Sequence, residues 1–423
     1  MPLTSRRPEV WSLDSVVQQH VDELTSLYQV RRWQALAPHV RLFELERLDA
    51  RLAAHIDGLR VAGPVGRAFC TGEAGRAPGV VFAMTVIAIE GANGTALDEL
   101  LSAAGGTPTL RHAVADACAW VRPELMGFVA AHVETSRQAH HVEIGLLSAG
   151  LGGCSHAERF LDALAHEEES VRSCAVRTAG EFGRTECFAQ IAKAYSGDRV
   201  DDVSTALALV LLGDRGSALS VLARSGVPIS VAPLNPMVLA FQAMELEAVR
   251  TMLGRLHGVD AEPGQDVVLG SGISGDPRYV PWLIRQLGNR HLARLAAEAI
   301  SLISGLDIRR EAGEAPPDDA DVPSDADSKR SNTEIRLDEG LPWPDHQKVE
   351  QWWVANGSRF QPGQRYFLGE QVTWEHCVEV LKSGYQRQRI LAAQHLCLLG
   401  PGTPLFNTSA PAWRQQRLLA QMT

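Results

Sequence analysis

The feature that most constrains this chain is a pair of apolar stripes between residues 276 and 305. In the first, Val280, Leu283, Ile284 and Leu287 fall at i, i+3, i+4 and i+7, one face of an α-helix. Asp276 is placed as its N-cap, and Pro277 occupies a first turn, where a missing N–H is tolerated. Gly288-Asn289 breaks the helix. In the second stripe, Leu292, Leu295, Ala296, Ala299 and Ile303 repeat the spacing, and Gly305 ends it. Small alanines along that face let two helices approach closely. Neither helix can bury its apolar face alone, so a unit of this kind stacks on copies of itself. A stacked helical array serves more often as a binding surface than as a catalyst.

The same spacing recurs along the chain. Residues 11–62 read as two helices, the second carrying Leu42, Leu45, Leu48, Leu52 and Ile56, with Gly58 as its C-cap. Loops follow around Pro64 and over 71–79. Val80 to Ile89 is apolar nearly all round, and its alanines favour a buried helix over the competing strand. From about residue 97, helical pairs follow one another. One stripe is Leu110, Ala113, Val114, Ala117 and Val121. Another is Val171, Cys174, Ala175, Ala179 and Phe182, ended by Gly183. A third is Val203, Ala206, Leu207, Val210 and Leu211, ended by Gly213. Val171 and Val203 lie a helical-repeat period apart. Ile390 to Leu399, before Gly400, echoes the series, whereas 226–270 is rich in proline and glycine and reads as irregular.

Residues 311–335 are a different material. Seven carboxylates fall between Glu311 and Asp327 with no basic residue among them, prolines interrupt the run, and almost nothing is apolar. Such a segment cannot bury enough surface to order itself. The expected fold is therefore all-α: a HEAT-like helical-repeat solenoid with an acidic disordered insertion and a Trp-rich helical C-terminal segment. Its divisions are an N-terminal helical region (1–96), the repeats (97–310), the acidic linker (311–335) and the C-terminal segment (336–423). In that last segment, LPWPDHQKVEQWW reads as a loop entering a helix and 357–371 as two turns linking helices. Its tryptophans read as core.

Charge and motifs narrow the function. A formal net charge of -10 argues against a phosphate-binding surface and admits a basic protein partner. The Val80–Ile89 run is far shorter than the ~20 residues of a membrane span, and no apolar region follows Arg6-Arg7 as a signal peptide would require. A soluble, cytoplasmic protein without direct contact to membrane or nucleic acid is expected. The seven scattered cysteines, with no CxxC, suit buried reduced thiols. No GxSxG, HExxH, GxxxxGK[ST] or GxGxxG occurs. His140-His141 reads as a partly exposed loop pair, because adjacent helical side chains diverge. His166-Glu167 is a single dyad, too few ligands for a di-iron centre. No cofactor, metal or catalytic residue is expected.

Two segments carry a resemblance. At the N-terminal end these are VVQQHVDELTSLYQVRRW and RLFELERLDARLAAHIDGLRVAG. At the C-terminal end they are Leu341-Pro342-Trp343-Pro344, Trp352-Trp353, Gly363 with Arg365-Tyr366, Arg387-Gln388-Arg389, and Pro404-Leu405-Phe406-Asn407 leading to Ala410-Pro411-Ala412-Trp413. These ends resemble a bacterial family of HEAT-like repeat proteins encoded among type VI secretion genes. The resemblance implies an accessory role there. The first expectation is an immunity protein that binds and neutralises a cognate effector toxin, a basic nuclease being the partner an acidic solenoid suits. The second is an effector-loading adaptor that also touches the secretion spike, its C-terminal block moving on the acidic linker. An enzyme on a helical scaffold is the third. A solenoid's concave face is formed by the second helix of each pair, so the contact candidates are Arg172, Arg177, Glu181, Asp201, Asp202, Arg294 and Glu298, with Asp318, Asp319 and Asp321 of the acidic run.

Overall fold

Helix dominates the computed structural model, which describes residues 14–72, 76–134, 138–152, 157–195, 202–230, 232–257, 264–314 and 336–422. The chain divides into two units. The first takes the residues up to Gln34, then Phe43–Thr178 and Ser409–Arg417; the second takes Ala35–Leu42, Ala179–Thr408 and the residues from Leu418.

The first unit is built from α1 (Asp14–Gln34), α2 (Leu42–Phe69), α3 (Pro78–Glu90), α4 (Gly94–Ala104), α5 (Pro108–Trp120), α6 (Met126–Glu134), α7 (Ala139–Gly152), α8 (Ala157–Leu164) and most of α9 (Glu169–Glu181). Its centre is α3. Val80, Val81, Phe82, Val86 and Ile89 are all buried, which is why that helix is apolar on every side. Phe82 stacks on Tyr28 of α1 and meets Trp120 of α5 edge-on. The expected stripe of α2 is buried at Leu45, Leu52 and Ile56, but the helix does not stop at Gly58. It runs on to Phe69 and breaks only at Gly63, whose φ of 56° no helix contains, beside Pro64. His140 and His141 lie in α7 with ring centroids 4.5 Å apart, and His141 is buried. Packing against neighbouring helices brings together two rings that an isolated helix would spread.

A buried ion pair anchors residues 409–417. Arg31 Nε donates to Asp49 Oδ1 at 2.7 Å, and its Nη1 and Nη2 donate to the Ser409 and Ala410 carbonyls. Asp49 Oδ2 in turn accepts the Ala412 N–H at 2.6 Å, at the start of α22 (Ala412–Leu419). Each charge is thereby compensated away from water.

The second unit holds the end of α9, then α10 (Phe188–Tyr195), α11 (Val203–Leu211), α12 (Ser217–Arg224), α13 (Pro236–Ala243), α14 (Leu246–His257), α15 (Gln265–Ile273), α16 (Val280–Gln286), α17 (Ala293–Ser304) and α18 (Ile308–Glu311). Three helices thus stand where 226–270 reads as irregular. Asn235 begins the first of them, accepting the N–H groups of Met237 and Val238, so proline and glycine there mark helix ends. The opening stripes hold as expected. Val280, Leu283, Ile284 and Leu287 are buried, as are Leu292, Leu295, Ala296, Ala299 and Ile303. Asp276 accepts the Arg278 N–H, and Gly305 closes α17 in the left-handed conformation, φ 76°.

Alternate helices lie side by side in both units: α3 on α5 and α5 on α7, then α11 on α13, α13 on α15 and α15 on α17. Two close helix approaches need glycine. A methyl group built on Gly180 of α9 would lie 2.6 Å from Ala208 Cα of α11, and one on Gly272 of α15 would lie 2.5 Å from Ala299 Cα of α17.

The rest of the second unit comprises two short antiparallel ladders and three helices. Strand β1 (Gly313–Glu314) pairs with β2 (Trp343–Pro344), so of the expected acidic linker Glu311 ends α18 and residues 313–314 form β1; residues 315–335 are outside the described residues. Then come α19 (His346–Asn356), the hairpin β3 (Tyr366–Phe367) and β4 (Glu370–Gln371), α20 (Trp374–Ser383) and α21 (Gln386–Leu399). The hairpin adds a ladder where only turns are expected. Trp343, Trp352, Trp353 and Trp374 are half-buried and Trp413 is exposed, so these tryptophans line the edges of the core and do not fill it. Cys70, Cys118, Cys174, Cys187, Cys377 and Cys397 are buried free thiols, as expected, and Cys154 lies outside the described residues. Among the described residues no helix is long and apolar enough to cross a membrane.

Candidate binding cleft and the placement of the contact residues

Every helix leaves its last carbonyls without intrahelical donors. In the second unit the C-terminal block supplies them. Leu405 N–H donates to the Glu181 carbonyl, which ends α9, at 2.7 Å. At α11 the direction reverses: Arg215, in the turn after it, donates to the Leu398 carbonyl of α21. Arg365 donates to the carbonyls of Phe241 and Met244, at the end of α13. Tyr366 N–H reaches the Gly275 carbonyl beyond α15, and Leu368 and Gly369 reach Leu302 and Ile303 in the last turn of α17. One continuous stretch of chain therefore clasps the ends of α9, α13, α15 and α17. Burial pushes the Arg365 pKa down to about 10, with Glu245 and Asp276 opposing.

Helix α21 then lies against α11 and α13. It is polar in sequence yet buried, and many of its polar groups find partners. Gln386 Nε2 donates to the Ala35 and Thr408 carbonyls, Arg389 Nε to Leu381, Gln394 Nε2 to Pro233, and Gln242 Nε2 of α13 to Leu391.

Arg387 and Glu298 join α21 to α17. Arg387 Nη1 lies 3.0 and 3.3 Å from the two Glu298 oxygens and donates to the Leu337 carbonyl at 2.6 Å. Burial raises the Glu298 pKa and the Arg387 charge opposes that shift. Two clefts flank this pair. One, about 490 Å³, lies toward Asp307, Pro342 and Tyr385. The other, about 520 Å³, lies between α13, α15 and α17 on one side and α21 on the other; its walls include Val238, Leu269, Ile273, Ile390 and Leu391. Three buried polar atoms on this second cleft's lining residues have no hydrogen-bond partner: Nε and Nη2 of Arg387, and Oε1 of Gln394.

The contact candidates do not gather in one place. Arg172 turns back on the His166 and Glu167 carbonyls, while Arg177 on the same helix is exposed. Glu181 is half-buried at the clasped end of α9. Asp202 caps α11, accepting from Ser204 N–H and Thr205 Oγ1. Arg294 pairs with Asp338, its guanidinium 5.0 Å from the centroid of the Trp343 ring. Its helix-mate Glu298 has a side chain only 11% exposed. An open polar face on α17 is thus replaced by two closed ion pairs. Asp201, Asp318, Asp319 and Asp321 lie outside the described residues. The cleft residues Arg387 and Gln394 escape sequence reasoning as site residues. The only signal is a charged run opening a helix whose remaining face is apolar.

Among the described residues no three His, Cys, Asp or Glu side chains stand together as a metal set. Comparison with protein-family models, with curated proteins and with solved structures gives no match to the chain.

Proposed function

We propose that this chain is a helical-repeat binding protein, a solenoid in each of its two units, and that it acts as a type VI secretion-associated immunity protein against an effector toxin. The observation that carries the repeat reading is the side-by-side packing of alternate helices, with glycine meeting alanine at Gly180–Ala208 and again at Gly272–Ala299. The toxin reading rests on the resemblance of the two ends and on the net charge of -10, which suits a basic partner. The adaptor reading asks for a C-terminal block that moves, and the bonds from residues 365–405 to the helix ends give it no support. Exposed Arg177 is the sequence candidate best placed for a partner.

The test is co-expression with the effector encoded beside this protein. A stable complex and rescue of growth are the expected results. Binding without rescue would move the reading to an adaptor, and absence of binding would remove the toxin partner.

A further inference from the structure

In the first unit, α1 and α2 each turn one imidazole toward the other. His20 Nδ1 and His55 Nδ1 lie 2.9 Å apart, and both residues are half-buried. Their ring planes cross at 71°. Gly58, one turn after His55 on α2, makes room for this arrangement: a methyl group there would stand 2.4 Å from His20 Nε2. A glycine inside a helix costs roughly 0.5–1 kcal/mol against alanine, so α2 gives up stability to seat that ring.

As a structural contact the pair offers little. Two neutral imidazoles share one hydrogen bond, worth about 1 kcal/mol, and leucines at the same crossing would bury more apolar surface. As a pair of ligands it offers more. Two metal–imidazole bonds of about 2.0–2.1 Å span about 2.9 Å when they meet at a right angle, and about 3.3–3.4 Å at a tetrahedral angle. The observed separation matches the right angle, the arrangement that nickel(II) and copper(II) favour. Closing on an ion asks each ring to turn its lone pair off the line between them, while the helices keep their distance. Burial and the His20 ring lower the His55 pKa and the Glu23 carboxylate opposes them, so His55 is an uncharged donor at neutral pH with an anion nearby.

We propose that His20 and His55 bind one divalent transition-metal ion, of the nickel(II) or copper(II) class, through their Nδ1 atoms. Among the described residues no third His, Cys, Asp or Glu completes a metal set with them, so water fills the remaining positions. The bound ion joins α1 to α2 and favours the folded state.

The test is calorimetric titration of the full chain with Ni²⁺, which, unlike Cu²⁺, does not oxidise thiols. One saturable site is expected. In the unsubstituted protein, paramagnetic Ni²⁺ below one equivalent should broaden the imidazole resonances of His20 and His55 before those of the other histidines, a readout that needs no variant to fold. His20→Gln and His55→Gln should each weaken binding about tenfold or more, because one arm of the chelate is lost. Gly58→Ala keeps both ligands and suits a helix better, yet it fills the space of the His20 ring; it should weaken binding likewise while circular dichroism stays native. His346→Gln, at an exposed position of α19, should leave binding unchanged. Absence of a saturable site would overturn the proposal. Broadening that begins at other histidines, or an affinity that survives both histidine substitutions, would overturn it equally.

Discussion

Gly272 and Ala299 bring α15 and α17 together so tightly that a single methyl group on the glycine would stand 2.5 Å from the alanine's Cα. Gly180 and Ala208 repeat this relationship between α9 and α11. These are backbone-to-backbone approaches, and no side-chain rotation relieves them.

Gly272→Ala is therefore expected to destabilise the second unit by about 1–3 kcal/mol, by forcing two helices apart. Gly254 supplies the control. It is exposed in α14, with nothing within 4 Å of an added methyl group, and Gly254→Ala should stabilise by about 0.5–1 kcal/mol through helix propensity. Urea denaturation of the two variants checks the opposite signs.

Arg365 tests the clasp. Arg365→Gln withdraws donors from the carbonyls of Phe241 and Met244 and should cost about 2–4 kcal/mol. Hydrogen exchange should quicken at the end of α13 more than in α3 of the first unit. Equal quickening in both would mean that the side chain acts on the whole fold and not on one helix end.

His395 sets an acid limit. Burial, reinforced by the charges of Arg365 and His376, pushes its pKa down to about 3. The folded ring stays neutral while the unfolded chain takes up a proton below its ordinary value of 6.5. The unfolded state then binds more protons, so stability falls as pH drops from about 6.5 toward 3, by up to about 1.4 kcal/mol per pH unit. Denaturation midpoints should slope across that window and stay level on this account above it. His395→Gln should flatten the slope; an unchanged slope would assign it to other groups.

Partner binding should be electrostatically steered if the toxin reading holds. The association rate is expected to fall about tenfold or more from low to high salt, with dissociation nearly constant. Stopped-flow mixing with the purified toxin separates the two rates. An association rate indifferent to salt would remove the charge argument.

The helices were largely legible because their signals are local. Asp276, Val280 and Gly305 announce a cap, a stripe and a stop within thirty residues. Gly58 misleads for the opposite reason: it packs opposite His20, across the α1–α2 contact, and that neighbour is invisible from spacing. Glu298 reads as an exposed contact because its partner Arg387 lies 89 positions further on. The cleft was illegible on the same ground. Arg387 and Gln394 acquire meaning only when α21 is laid on the odd-numbered row, and no periodicity within α21 reports that pairing.

The clasp also carries a timetable. Glu181 ends its helix with a carbonyl that waits for the Leu405 N–H, about 220 residues later, and at roughly 5–20 residues per second that is a delay of roughly ten to forty-five seconds on the ribosome. Until then the row of helix ends is a ladder without its last rail. The second unit is thus one whose rungs can form early, in order, while its closure belongs to the final stage of synthesis. A chain halted before residue 365 would present those helix ends, still open, to whatever in the cell binds unfinished protein.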